Sequence, residues 1–154
     1  VIQLITINIV SSADESNLKK ALFNILSANQ KYEYVNILQS NDLDTGDIII
    51  FGSKIIPYNY NIKSDDKIFI VSEDNLDALN FLHDNGNTAI CCGMSTGSSV
   101  SISSMSSNNA VVSILRELIS IKGEPIGPLD IPVQTFSDDE PYSIMASVVV
   151  SLII

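Results

Sequence analysis

The 154 residues offer few side chains that could do chemistry. His83 is the only histidine, so a two-histidine metal site is impossible and a serine triad would have to use this one residue. It lies in a helical stretch from Leu76 to Asn85, where a solvent-facing or boundary position is expected. Cys91 and Cys92 are the only cysteines. As neighbours on a strand they point to opposite faces, and pairing them would distort the backbone, so two free thiols in a reducing compartment are expected. A pair of either thiol with His83 is conceivable because the helix directly precedes the strand. A core cysteine in an α/β strand is equally ordinary.

Phosphate chemistry needs a glycine-rich loop ending in Gly-Lys-Ser/Thr, or Gly-x-Gly-x-x-Gly between the first strand and its helix. Neither occurs. The first strand leads through Val10-Ser11-Ser12-Ala13-Asp14 without a glycine, so the backbone cannot wrap a pyrophosphate closely. The nearest imitation, Gly93-Met94-Ser95-Thr96-Gly97, lacks the lysine and leads into a strand; a plain turn is expected there. Asn41 to Asp47 resembles a calcium loop in passing, but its glycine is one place early and Ser53 stands where the bidentate glutamate should be, so it reads as a turn with acids. Arg116 and Glu117 read as an exposed pair, with ligand orientation as the alternative.

The elements around these residues alternate. Val1 to Val10, with Ile5, Ile7 and Ile9 against Thr6 and Asn8, predicts a strand. Ser12 and Asp14 offer cap oxygens, and Leu18, Ala21, Leu22, Ile25 and Leu26 then form one apolar helical stripe. Tyr32 to Leu38 and Asp47 to Gly52 read as strands, the latter buried on both faces. Pro57 and Tyr58-Asn59-Tyr60-Asn61 predict a surface connection. Lys67 to Val71 is a further strand, Ser72 or Asp74 caps a helix lined by Leu76, Leu79 and Leu82, Gly86 closes it, and Thr88 to Cys92 is the next strand. This order implies parallel pairing with helices over the sheet.

Beyond Gly93, Ser98 to Ser106 and Ala110 to Ile121 read as a hairpin turning at Asn108-Asn109, and Ile131 to Thr135 as a third antiparallel strand. Asp138-Asp139-Glu140-Pro141 starts the last helix, with acids at the positive end of the dipole and proline in the first turn. The expected fold is therefore α/β: a Rossmann-like layered core with a mostly parallel sheet (residues 1–93), a small antiparallel β-element (94–136) and a C-terminal apolar helix (137–154). All of this forms a single domain, 1–154.

Composition narrows the partners. Hydrophobic residues make up 45% and charged residues 17%, which is the balance of a core-forming chain. Eighteen acids against 8 bases give a formal charge of −10, which repels phosphate backbones and anionic headgroups, so neither nucleic acid nor a membrane surface is expected as a partner. The run from Ser143 to Ile154 holds about a dozen residues, where a membrane span needs roughly 20. It reads as a buried helix. Its apolar end at Leu152-Ile153-Ile154 suggests an interior or a contact surface, and with it a truncated chain, a partner chain or a homo-oligomer. The opening Val1-Ile2-Gln3-Leu4-Ile5 has no basic region or small-residue cleavage site, and a cytoplasmic location is expected.

The order of features in the second half resembles the end of the central domain of the Mur ligases, the bacterial ATP-dependent enzymes that add amino acids to peptidoglycan precursors. In that family a strand ending in a "TYG" or "TFG" type of turn leads to a small antiparallel sheet and then to a helix rich in alanine. Ile90-Cys91-Cys92-Gly93 and Met145-Ala146-Ser147 stand in those places, and the likeness covers about residues 75–154. The first half departs from it. The family's Gly-Lys-Thr phosphate loop, magnesium-binding glutamate region and modified lysine have no matching positions, so no catalytic residue carries over.

The resemblance implies a shortened, ligase-dead relative: a non-catalytic domain with no cofactor and no metal, binding an unidentified protein partner or small molecule in a cell-envelope setting. A small Rossmann-like enzyme with its site at the strand ends is one alternative, and a structural or oligomerising unit another. Open α/β sheets take ligands at the carboxyl ends of their strands, which makes Ser11, Ser12, Asp14, Ser72 and Gly93 the candidate ligand-binding residues.

Overall fold

The computed structural model describes residues 3–52 and 66–154. Strand β1 (Ile5–Val10) leads into helix α1 (Ser16–Ala28), a 3-10 turn (Tyr32–Tyr34) and β2 (Val35–Gln39); β3 (Ile48–Phe51) and β4 (Ile68–Ser72) follow, then α2 (Leu76–Asp84) and β5 (Ile90–Cys92). Strands β6 (Val100–Met105) and β7 (Asn109–Ile114) come next, then the short β8 (Leu118–Ile119) and β9 (Pro125–Ile126), β10 (Leu129–Gln134) and helix α3 (Pro141–Ile153).

Eight strands form one sheet in the order β10-β7-β6-β5-β4-β3-β1-β2, and β8 pairs with β9 separately. From β2 to β6 every neighbour is parallel, while β7 and β10 run antiparallel. The expected α/β layering is present, and the antiparallel strands continue the main sheet instead of standing apart from it. The expected surface connection at residues 57–61 lies outside the described residues.

The central strands β1, β3, β4 and β5 divide their side chains between two cores. Ile7, Ile9, Ile48, Ile50, Ile70 and Cys92 face one side, where α1 and α3 cover them. Val10, Ile49, Phe51, Phe69 and Val71 face the other, against Ala78 and Leu82 of α2. The period of two puts Cys92 in the first core and Cys91 against the second, both as free thiols. Helix α3 is buried over almost all its length, with Val149 and Ile153 at 0% exposure. Its apolar end thus packs inside the chain. Lys31 donates to the carbonyls of Ser151 (2.5 Å) and Ile154 (3.4 Å), placing a cation where the helix leaves orphan carbonyls.

The helix starts differ from those read in the sequence. Glu15, not Ser12 or Asp14, occupies the N-cap of α1, and Asn75, not Ser72 or Asp74, caps α2 by accepting from the Ala78 amide at 3.2 Å. The Ser72 hydroxyl accepts from the Asp74 amide, a local turn that leaves it no reach to the helix. Once Asn75 is the cap, Leu76 falls on the outer side of the first turn and is 66% exposed; the inner face is Ala78 and Leu82, with Leu79 half-buried. Strand β2 begins at Val35 because the 3-10 turn takes the residues before it, and β7 ends at Ile114, short of Ile121.

Parallel neighbours usually need a long crossover, yet β5 and β6 are joined by residues 93–99 alone. Their single register pair, Cys92 opposite Val100, explains this: β6 starts beside the last residue of β5 and runs on past it. The connection therefore closes as a tight loop on the carboxyl edge of the sheet.

Candidate functional site

The carboxyl ends of β1, β3, β4 and β5 lie side by side, joined by the register pairs Val10 with Phe51, Ile50 with Ile70 and Ser72 with Cys92. Two carboxylates point into this edge, and each is held by the chain itself.

The first is Glu15. Its side chain folds back to the end of β1, where the Ser11 hydroxyl donates to Oε1 at 2.7 Å, and the residue is 8% exposed. Gly52, just after β3, makes the room: a Cβ there would lie 2.5 Å from Glu15 Oε1 and 2.6 Å from Ser11 Cβ. Gln39 ties the same turn to β2 by donating to the carbonyls of Ser11 and Ala13 at 3.2 and 2.9 Å. On the opposite side of Gly52, its carbonyl accepts from Asn75 Nδ2 at 3.1 Å, linking the turn to the start of α2.

The second is Glu73, in the turn after β4. Loop 93–99 closes around its carboxylate. Oε1 accepts from the amides of Met94 (2.8 Å) and Ser95 (3.2 Å); Oε2 accepts from the Ser95 amide (3.3 Å), the Ser95 hydroxyl (2.5 Å) and the Ser98 hydroxyl (2.9 Å). The Ser95 and Ser98 hydroxyls, aided by the two amides, hold this carboxyl below its ordinary range against a smaller opposing effect of burial. Successive amides aimed at one anion make a backbone nest. Gly93 is required for the seat, since a Cβ would fall 2.0 Å from Glu73 Cδ. Arg116 braces the far side of the loop, donating to the carbonyls of Gly97 (2.8 Å) and Thr96 (3.4 Å). The arginine thus serves loop carbonyls, and no ion pair of Arg116 with Glu117 occurs among the described residues.

Of the residues expected to line a site, Ser11 is buried against Glu15, Ser12 and Asp14 are exposed, Ser72 is half-buried in its local turn, and Gly93 is buried beneath Glu73. Ser11 gathers with Gly52 and Glu15, Ser72 and Gly93 gather around Glu73, and Ser12 and Asp14 join neither group. Glu15 and Glu73 escaped the sequence reading because single acids at helix starts are common. The distinguishing signal was weak: each faces a glycine distant in sequence.

The other chemical candidates are dispersed. His83 lies on the outer side of α2, its side chain 90% exposed and 3.7 Å from Asp84. Burial pushes both thiols above their ordinary range, Cys92 strongly, which removes nucleophilic character. In the turn at 41–47, Asp42 accepts from the Asp44 amide and the Thr45 hydroxyl, and no group of three or more metal-ligating side chains occurs among the described residues.

These features define a layered α/β domain whose mostly parallel sheet is extended by an antiparallel hairpin and an edge strand. The same fold is found in the solved structure of UDP-N-acetylmuramoyl-L-alanyl-D-glutamate--2,6-diaminopimelate ligase, a Mur ligase, with a TM-score of 0.54 and 9% sequence identity. The match covers 97% of this chain and 43% of that one, so the chain spans less than half the length of the ligase. No protein-family model matches the sequence, and neither does any curated protein. At this identity the likeness is one of fold. No helix among the described residues is long and apolar enough to cross a membrane.

Proposed function

We propose that this chain is a Mur-ligase-like domain that takes no nucleoside triphosphate and acts as a non-catalytic binding unit for a protein or small molecule, in a cell-envelope setting. The observation that carries this reading is the seat of Glu15. Sheets of this kind receive phosphate where the first strand turns into its helix, on free backbone amides and the positive helix end. Here that turn holds a buried carboxylate bonded to Ser11 and packed on Gly52, which fills the space and repels a triphosphate. The fold shared with the diaminopimelate ligase supports the kinship and the envelope setting. The internal packing of Val148, Val149, Val150 and Ile153 lends no support to an oligomerising role through that face.

Isothermal titration with magnesium-ATP tests the reading. The expected result is no saturable heat, corresponding to a dissociation constant weaker than about 1 mM. Magnesium-dependent binding in the micromolar range would overturn it.

A further inference from the structure

We infer that loop 93–99 is a carboxylate-binding site whose resident occupant, Glu73, is displaceable by a carboxylate from outside the chain. This goes beyond the reading above, because it uses a different loop and makes no reference to nucleotides; the magnesium-ATP result leaves it standing in either direction.

The geometry is that of a built receptor. Four groups, the Met94 and Ser95 amides and the Ser95 and Ser98 hydroxyls, converge on the two oxygens of one carboxylate. The Ser98 hydroxyl is on a residue only 1% exposed, so this donor is fixed in place before any ligand arrives. Arg116, anchored on the carbonyls of Thr96 and Gly97, places a cation behind the loop. The donors serve two oxygens in a compact arc, which suits a carboxylate; a phosphate brings further oxygens with no partner here.

The occupant is one side chain, while the Ser98 donor belongs to the buried sheet edge. Glu73 is anchored by its backbone amide, which donates to the Cys92 carbonyl at 2.9 Å, while its side chain reaches the loop across rotatable single bonds and is only half-buried. Met94, Ser95 and Thr96 are exposed, so rotation of Glu73 into water opens the loop to solvent with no change in the sheet. A tethered carboxylate competes at an effective concentration of millimolar or higher. The apparent affinity for an external carboxylate is then lowered by the fraction of time the loop stands open. This is an autoinhibited site, and its ligand is a free carboxylate or the C-terminal carboxylate of a peptide.

Amide shifts of Met94 and Ser95 during titration of the whole chain test the inference, using acetate, N-acetylglycylglycine, its C-terminal amide and inorganic phosphate as probes. Glu73→Ala removes the competitor and should bind acetate at least about tenfold more tightly than the unaltered chain, with Ser98→Ala on that background reversing the gain. Tighter binding of the peptide than of acetate identifies a chain terminus as the ligand, equal binding a free carboxylate, and the peptide amide should not bind. If Glu73→Ala loosens the loop, acetate should restore its amide protection. Absence of saturable shifts in Glu73→Ala, affinity no better than the unaltered chain, failure to restore a loosened loop, or preference for phosphate would each overturn the assignment.

Discussion

The hydroxyl of Ser11 donates to Glu15 Oε1 at 2.7 Å, across the turn where β1 gives way to α1, and Gly52, just after β3, is the floor beneath both. A helix start in this position usually exposes its amides to a ligand. Here the local sequence spends that position on an internal contact.

Gly52→Ala tests how tight that contact is. The added Cβ meets the flexible Glu15 carboxyl, Oε1 at 2.5 Å and Cδ at 2.8 Å, and one atom that the backbone fixes, Ser11 Cβ at 2.6 Å, so the strand end itself must shift. We expect a loss of about 1–3 kcal/mol by urea unfolding, typical of overpacking. Gly127→Ala is the control: nothing lies within 4 Å of its Cβ position, and the change should stay within about 0.5 kcal/mol.

The layered fold was legible because its signals are periodic. Ile5, Ile7 and Ile9 marked a strand by their alternation, although Asn8 and Val10 between and beyond them are buried too; Ile48, Ile49 and Ile50 read as a strand covered on both faces, and the whole-helix apolarity of 141–153 matched its burial. What escaped was decided by contacts between distant residues. Nothing near Glu73 in the sequence points to Ser95 and Ser98, since only the stagger of β5 and β6 brings that loop over the end of β4. Helix caps failed for a related reason: Ser12, Asp14, Ser72 and Asp74 are all good cap types, and one or two residues decide which is used. The same plain turn expected at 93–97 is, in three dimensions, a cluster of donors closed on the Glu73 carboxylate.

Tyr142 joins α3 to the sheet in a way that substitution can measure. Its hydroxyl donates to the Phe51 carbonyl at 2.5 Å and lies 3.4 Å from that of Ile70, and burial pushes its ionisation well above the ordinary range. Tyr142→Phe keeps the ring packing and leaves a buried carbonyl without this donor, for an expected loss of about 1–2 kcal/mol. In a domain of this size that lowers the melting temperature by roughly 2–4 °C per kcal/mol, measurable by calorimetry.

Helices α1 and α2 end in the same hydrogen-bond pattern with different residues. After α2, Gly86 has φ +72°, its amide donating to His83 and that of Asn87 to Leu82. After α1, Gln30 takes the equivalent place at φ 59°, its amide donating to Ser27 and that of Lys31 to Leu26. A left-handed residue with a Cβ is strained by about 1–2 kcal/mol, partly offset by the freedom glycine loses on folding. Gln30→Gly should therefore stabilise the chain by about 0.5–1 kcal/mol in urea, and Gly86→Ala should destabilise it by at least as much.

The hold of the loop on Glu73 sets a pH dependence with a definite sign. The ordinary carboxyl value is 4.5, and the hydroxyls of Ser95 and Ser98 lower it in the folded chain. The unfolded chain therefore takes up this proton first as pH falls, so the contribution of Glu73 to stability is intact above the ordinary value and is lost as pH drops through the lower, folded one. The Met94 and Ser95 amide shifts should be flat from neutral pH down to about pH 5 and then move together as the carboxylate is neutralised. Glu73→Gln should remove that step. Because the hold comes from hydrogen bonds of neutral hydroxyls and amides, salt should move the midpoint little. A midpoint at or above the ordinary value in low salt would show that the loop does not hold Glu73 in its charged form.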